Sequence, residues 1–340
     1  MRTRKMVLVS MLLMNIVSLT ACGQKNIADI KGTEAAAATG TEVKPTLEPK
    51  ENVPEEPKER TVKTVNGDVT IPANPQRVVA TYYVGELAAL GIKSVGTVTR
   101  QLGEKNPNLA EYTEGMADIG DFPPNLEAIT ALEPDLIIAT DFDGITYEDY
   151  AKIAPTIILP WVAEDVNAKL RSIAALFNKE AEAEKFIAES EAKVVAAREE
   201  IKGYVDADET FSIIRFFGKS IRVYGGRDIG HSLYNSLQLT PSPVIKEAME
   251  KDPNFNSTED VSLEVISKYA ADRIFVVVTD EDGDRYYDEL QSLSVWKDLP
   301  AVKNNKVYKI PADKWFTYDP ISINVTLDEA VRILQADGPK

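Results

Sequence analysis

Residues Glu180–Lys202, EAEAEKFIAESEAKVVAAREEIK, contain neither Gly nor Pro and consist mostly of the strong helix formers Ala, Glu, Lys and Arg. Apolar or small side chains recur at Ala183, Phe186, Ile187, Ser190, Val194, Ala197 and Ile201, the spacing of one helix face. Charges fill the other face, where Glu189 and Lys193 are spaced for an i,i+4 pair. Asn178 is the expected N-cap and Gly203 the expected stop. At ~1.5 Å per residue such a helix is about 34 Å long, the span of a small domain. A helix of that length is suited to carry the chain from one body to another.

The flanks support two related bodies. Before the helix stand Asn125-Leu-Glu-Ala-Ile129 and Asp135-Leu-Ile-Ile138; after it stand Ser262-Leu-Glu-Val-Ile266 and Asp272-Arg-Ile-Phe-Val276. Leu126/Leu263, Glu127/Glu264, Ile129/Ile266, Asp135/Asp272 and Ile137/Ile274 share one offset, 137 residues. A capped helix followed by a buried strand thus occurs twice in one register, which predicts two α/β lobes.

With 340 residues the chain can bury one large core or two modest ones. Its formal net charge is −16, with no basic patch beyond the extreme N-terminus, so nucleic acid is not an expected partner. The single His, His231, excludes a His-rich zinc site and argues against a His-based hydrolase or haem ligation. A single Cys cannot form an internal disulfide.

The position of that Cys is informative. Arg2, Arg4 and Lys5 precede an apolar run, Met6–Ala21, that is short for a membrane span. The run ends Leu19-Thr20-Ala21-Cys22-Gly23, which resembles the bacterial lipoprotein box. That resemblance implies acylation of Cys22, loss of residues 1–21 and a lipid-anchored chain outside the cytoplasm. The next stretch is rich in Ala, Thr, Glu, Lys and Pro and reads as a disordered tether. The expected layout is a signal peptide at 1–21, tether 22–61, N-terminal lobe 62–179, linking helix 180–203 and C-terminal lobe 204–340.

Within the lobes, strand and helix signals alternate. Asn66-Gly67 marks a hairpin. Strands are expected at Asn74–Tyr83, Ile92–Val98, Asp135–Thr140, Thr156–Pro160, Thr210–Phe217, Ser220–Tyr224, Arg273–Val278 and Lys306–Ile310. Helices fall between them, near Gly85–Leu90, Tyr147–Ile153, Ile229–Leu237, Val244–Lys251, Leu263–Tyr269, Tyr286–Leu293 and Ile323–Leu334. The alternation predicts mainly parallel sheets with helices on both faces.

Several segments, in order, resemble the iron–siderophore substrate-binding proteins of ABC importers. They are Ile71-Pro-Ala-Asn-Pro-Gln-Arg-Val-Val79, Leu87-Ala-Ala-Leu-Gly-Ile92, Asp118-Ile-Gly120 with Asn125-Leu-Glu127, Pro134-Asp-Leu-Ile-Ile138, Lys152-Ile-Ala-Pro-Thr156 and Trp315–Pro320. The likeness runs over roughly residues 62–336. Tyr82-Tyr83-x-Gly85-Glu86 and the closing aromatic-Asp-Pro loop look most like the ferric-hydroxamate members of Gram-positive bacteria. The resemblance implies two Rossmann-like lobes on a rigid linking helix, like class III periplasmic binding proteins. It further implies a ferric siderophore in the cleft, a permease and its ATPase as partners, a monomer, no cofactor and no catalysis. It also implies that one exposed Glu per lobe, Glu127 and Glu264, meets Arg residues of the permease.

Open α/β lobes bind ligands at the carboxyl ends of their strands. Arg215 lies near such an end. If Gly218-Lys219 is a two-residue turn, Arg215 faces Arg222 directly, an unfavourable pairing that an anionic ligand or nearby carboxylates would relieve. Trp161, Tyr83 (after Tyr82) and Arg100 follow other strands, while Trp315 and Phe316 compete for one place in the closing loop. By resemblance, Arg227 after Tyr224-Gly-Gly226 is a ligand contact, although the chain is two residues shorter there. No side-chain set offers iron a recognisable first shell, so the siderophore is expected to carry the metal. A catecholate or citrate-type chelate or a corrinoid is the alternative cargo. An anchored esterase is the alternative class, disfavoured because no Gly-x-Ser-x-Gly elbow is present.

Overall fold

The computed structural model describes residues 58–161 and 164–339. The expected signal peptide, Cys22 and nearly all of the expected tether lie outside the described residues. The described chain opens with a hairpin, β1 (Glu59–Thr64) and β2 (Gly67–Pro72), with Thr64 paired to Gly67. β1 starts ahead of position 62, where the fold was expected to begin.

The first lobe is a wholly parallel sheet in the order β5-β4-β3-β6-β7. Its strands are β3 (Val78–Ala80), β4 (Gly96–Thr97), β5 (Ala117–Asp118), β6 (Leu136–Thr140) and β7 (Thr156–Leu159). The second lobe uses β8 (Thr210–Phe217), β9 (Ser220–Val223), β10 (Thr240–Pro241), β11 (Arg273–Val278) and β12 (Val307–Ile310). Here β10-β8-β11-β12 are parallel, and β9 folds back antiparallel on β8.

The internal repeat has a physical basis. β6 and β11 are the equivalent inner strands, and Ile137 and Ile274 are both fully buried, as are Ile129 and Ile266 just before them. The Asp135 carboxylate accepts the backbone N–H groups of Gln76 and Arg77 at the start of β3. Asp272 accepts the N–H and hydroxyl of Thr210 at the start of β8. In each lobe, one aspartate ties the first strand to its neighbour.

Glu180–Glu200 forms the linking helix. Ala183 and Ile187 belong to the first lobe's core and Ala197 and Ile201 to the second's, so both cores share this one element. Asn178 is not its cap: it is left-handed (φ 52°) after the preceding helix, and Lys179 takes the cap position without a side-chain bond. Lys193 does not pair with Glu189. It reaches Asp328 and the Asn324 carbonyl on the closing helix, Pro320–Ala336. Two expected helices have other geometries: Leu263–Tyr269 is three-ten, and Asp228–Ser236 is a three-ten turn running into a π-helix.

Gly85 and Glu86, at the start of the Val84–Ala89 helix, face Asp319, which caps the closing helix by accepting the Ser322 N–H. A Cβ at Gly85 would collide with the Asp319 carboxylate. Gly85-Glu86 and Asp319-Pro320, the two motifs most like the ferric-hydroxamate members, are therefore the two sides of one contact between lobes.

Candidate functional site

Each strand of the first lobe's parallel sheet is followed by an aromatic residue or, in one case, an arginine. Tyr82 follows β3, Arg100 follows β4, Phe122 follows β5, Phe142 follows β6 and Trp161 follows β7. Tyr82 packs against Phe122, Phe142 and Trp161 with ring centroids 5.1–6.4 Å apart, and Phe122 and Phe142 meet at 5.3 Å. Arg100 lies over the Phe122 ring at 4.2 Å and pairs with Asp121. Hydrogen bonds, two of them buried, hold the wall in place. Asp143 accepts from the hydroxyls of Thr81 and Tyr150 beside Phe142, and Asp141 accepts the Trp161 N–H.

The second lobe brings its cations from β8 and β9. Arg215 and Arg222 face each other in register, as the turn at Gly218-Lys219 requires. Their repulsion is relieved differently. Arg222 turns to Asp260 at 2.9 Å, whose carboxyl is held low by Ser220 and Arg222, so Arg222 serves the hairpin. Arg215 has no carboxylate within ion-pair reach among the described residues. Its guanidinium is stacked between Phe217 (4.4 Å) and Phe316 (4.3 Å) and donates to Thr279 and the Tyr224 hydroxyl. Flat cations on aromatic faces are held without losing their outward N–H groups.

The cleft between the walls has a volume of about 350 Å³, within the range of small-molecule sites. Tyr82, Arg100, Gln101, Lys105 and Asp121 line one side, and Thr279, Asp313, Phe316 and Thr317 the other. A hollow of about 440 Å³ beside the linking helix, lined by Phe186, Val194 and Ile323, lies away from the strand ends.

Three expected contacts are corrected. Tyr83 is buried and donates to the Leu159 carbonyl; its left-handed backbone (φ 61°) turns it into the core and leaves Tyr82 at the cleft. Trp315 is buried against Phe275, so Phe316 takes the closing-loop position. Arg227 is buried between Trp161 and Tyr318 and donates to the carbonyls of Trp161 and Glu164, which makes it a strap between lobes. Phe122, Phe142, Phe217 and Tyr318 were not singled out in sequence, although strand-end position would have found the first three. Among the described residues, no group of three or more His, Cys, Asp or Glu side chains is placed to hold a metal ion.

Two Rossmann-like lobes on one shared helix, with a cleft at their strand ends, are the architecture of a substrate-binding protein. Residues 106–314 match the family described as periplasmic binding protein. The chain is 34% identical over 322 residues to the iron(3+)-hydroxamate-binding protein FhuD of Bacillus subtilis, covering 93% of each chain. It is 33% identical over 276 residues to the iron(3+)-hydroxamate-binding protein YxeB of the same organism, covering 79% of this chain and 83% of that one. Among solved structures it is similar to an FhuD fold-family periplasmic binding protein component of a Fep/Fec-like ferrichrome ABC transporter from B. subtilis. That match has a TM-score of 0.70 and 33% identity over 80% of this chain and 99% of that one. The chain belongs to the periplasmic binding protein family, as a substrate-binding component of ABC importers and not an enzyme.

Proposed function

We propose that the cleft captures a ferric siderophore, of hydroxamate type, for delivery to a membrane permease and its ATPase. The observation that carries the ligand class is the charge balance of the walls. Arg100 and Arg222 are paired with Asp121 and Asp260, and Asp228 acts on both Arg227 and Arg215, so the arginines of the walls carry little unbalanced positive charge, while Arg215 makes no ion pair among the described residues. A ferric tris-hydroxamate core carries no net charge, and its outer oxygens suit one guanidinium and a ring-lined wall. A tris-catecholate is a multiply charged anion and would need more free cations.

Titration of intrinsic Trp fluorescence with ferric hydroxamate, ferric catecholate, ferric citrate and unchelated Fe³⁺ tests this reading. The hydroxamate complex is expected to quench most strongly, through Trp161 at the cleft, and quenching should fall sharply in Trp161→Phe. Tight binding of unchelated iron, or no response to any chelate by fluorescence or calorimetry, would reject it.

Delivery requires a docking surface. Glu127 and Glu264 are exposed in the first turns of equivalent segments, after Asn125 and Ser262. Asn125 caps its helix through the N–H groups of Glu127 and Ala128, and Glu264 is held acidic by the Ser262 hydroxyl. Neither carboxylate is needed by the core. We assign them to permease arginines, one contact per lobe. The double substitution Glu127→Ala, Glu264→Ala is expected to leave ferric-chelate affinity intact and to reduce uptake by cells sharply; normal uptake at normal abundance counts against docking.

The same reading places the chain outside the cytoplasm on a lipid anchor at Cys22, supported by the basic–apolar–Leu-Thr-Ala-Cys order. Mass spectrometry of the membrane fraction should find a mature chain beginning at acylated Cys22. A freely secreted, unmodified chain is the contrary result.

A further inference from the structure

Gln101 and Asn106 line the first lobe's side of the cleft, and both are buried, at 7% and 2% exposure. They belong to the turn-rich stretch after β4, which closes its own backbone bonds. The Gln101 N–H reaches the Val98 carbonyl at 2.9 Å, and those of Lys105 and Asn106 reach the Leu102 carbonyl at 2.8 Å. Gly103 packs so closely on Ala110 that a Cβ there would collide with the Ala110 backbone. Asn108 ties the stretch to the second lobe by donating to the Lys314 carbonyl at 2.7 Å. The positions of Gln101 and Asn106 are thus set without the use of their carboxamides.

Among the described residues, neither of those two side chains makes a hydrogen bond. Asn106 stands just before the turn Pro107–Leu109, where an Asn side chain ordinarily caps the backbone, and it makes no such bond. Its Oδ1 is sealed from water without a donor, the one such atom on a described residue of the cleft lining. Buried polar groups are nearly always satisfied, so an exception at a binding site calls for a ligand group. A carboxamide carries both a donor and an acceptor, and a half-turn exchanges them. The iron-bearing face of an N-substituted hydroxamate chelate exposes only oxygens, which serve the donors and leave the acceptors unpaired. A secondary amide in the skeleton between the hydroxamates serves both, through its N–H and its carbonyl.

We propose that Gln101 and Asn106 are specificity-determining residues of the cleft, which read secondary amides in the skeleton of the ligand. The proposal rests on the siderophore reading above. Two probes isolate the contact: a ferric tris-hydroxamate whose spacers carry secondary amides, and the same chelate with those amide nitrogens methylated. Calorimetry with each is run on the wild type, on Gln101→Met, which keeps the shape of the side chain without its amide, and on Gln101→Met with Asn106→Leu.

The wild type is expected to bind the parent chelate about tenfold more tightly than the methylated one, the scale of two neutral hydrogen bonds. That ratio should fall in Gln101→Met and reach roughly one in the double variant, with affinity for the methylated chelate unchanged. Urea unfolding without ligand should show neither substitution lowering stability, because each removes a buried group that has no partner. A wild-type ratio near one overturns the proposal, and so does a ratio that persists in the variants, since the methyl groups are then excluded by shape alone. Equal weakening of both chelates, or a loss of stability without ligand, makes the carboxamides structural and also overturns it. If neither chelate binds the wild type, the siderophore reading fails first and takes this one with it.

Discussion

Replacing Arg215 with alanine is expected to weaken ferric-hydroxamate binding by about 1.5–3 kcal/mol, roughly a tenfold to hundredfold loss. The sequence posed the question as two like charges facing each other across a hairpin, each in need of a counter-charge. Arg222 finds Asp260, whereas Arg215 is held by two aromatic rings, a threonine and a tyrosine. Its positive charge is thus left to act on the cleft. The fold should survive, because Arg215 is only half-buried and its partners are neutral groups that water can serve. Lysine at this position keeps the charge but not the flat stacked geometry, so Arg215→Lys should fall between the two. Urea unfolding and calorimetry on the same preparations separate the outcomes. Unchanged affinity in a folded Arg215→Ala protein would remove Arg215 from the site.

The parts of this picture that were legible in sequence are those set by local pattern. The linking helix shows in its spacing, and the repeat shows because equivalent inner strands in both lobes need a buried Ile and an aspartate at the same step. Strand ends located Tyr82, Arg100, Trp161 and Arg215. Side-chain direction was not legible where the backbone leaves its regular period. Tyr83 sits in a left-handed turn, so alternation along β3 no longer says which Tyr faces the ligand. Trp315 and Phe316 end a short helix, and only packing against Phe275 decides between them. Long-range partners were also hidden: Arg222 and Asp260 are far apart in sequence, as are Arg227 and the Trp161 carbonyl.

The contact between Glu86 and the cap of the closing helix leads to a stability effect that grows with pH. Glu86 is buried, and burial, followed by the negative charge of Asp319, pushes its carboxyl from the usual 4.5 up to about 8. Lys169 opposes the shift weakly, since it is itself buried against the Pro160 carbonyl and Glu164 and its own pKa is lowered by burial. The folded protein therefore keeps a proton on Glu86 that the unfolded chain has lost. Stability is fully present below about pH 4.5, falls as pH rises through about 8, and falls no further above that. Glu86→Gln mimics the protonated acid at every pH, so it should match the wild type near pH 4 and exceed it by about 4 kcal/mol near pH 7.5. His231, held near 4 by burial, and Asp228 titrate in both proteins, so they cancel from the difference between the two. Urea unfolding of wild type and Glu86→Gln at several pH values reads that difference directly. A difference that stays flat from about pH 5 to 8 would mean that Glu86 is ionised in the folded protein, and that two carboxylates meet there instead of a carboxylic acid and a carboxylate.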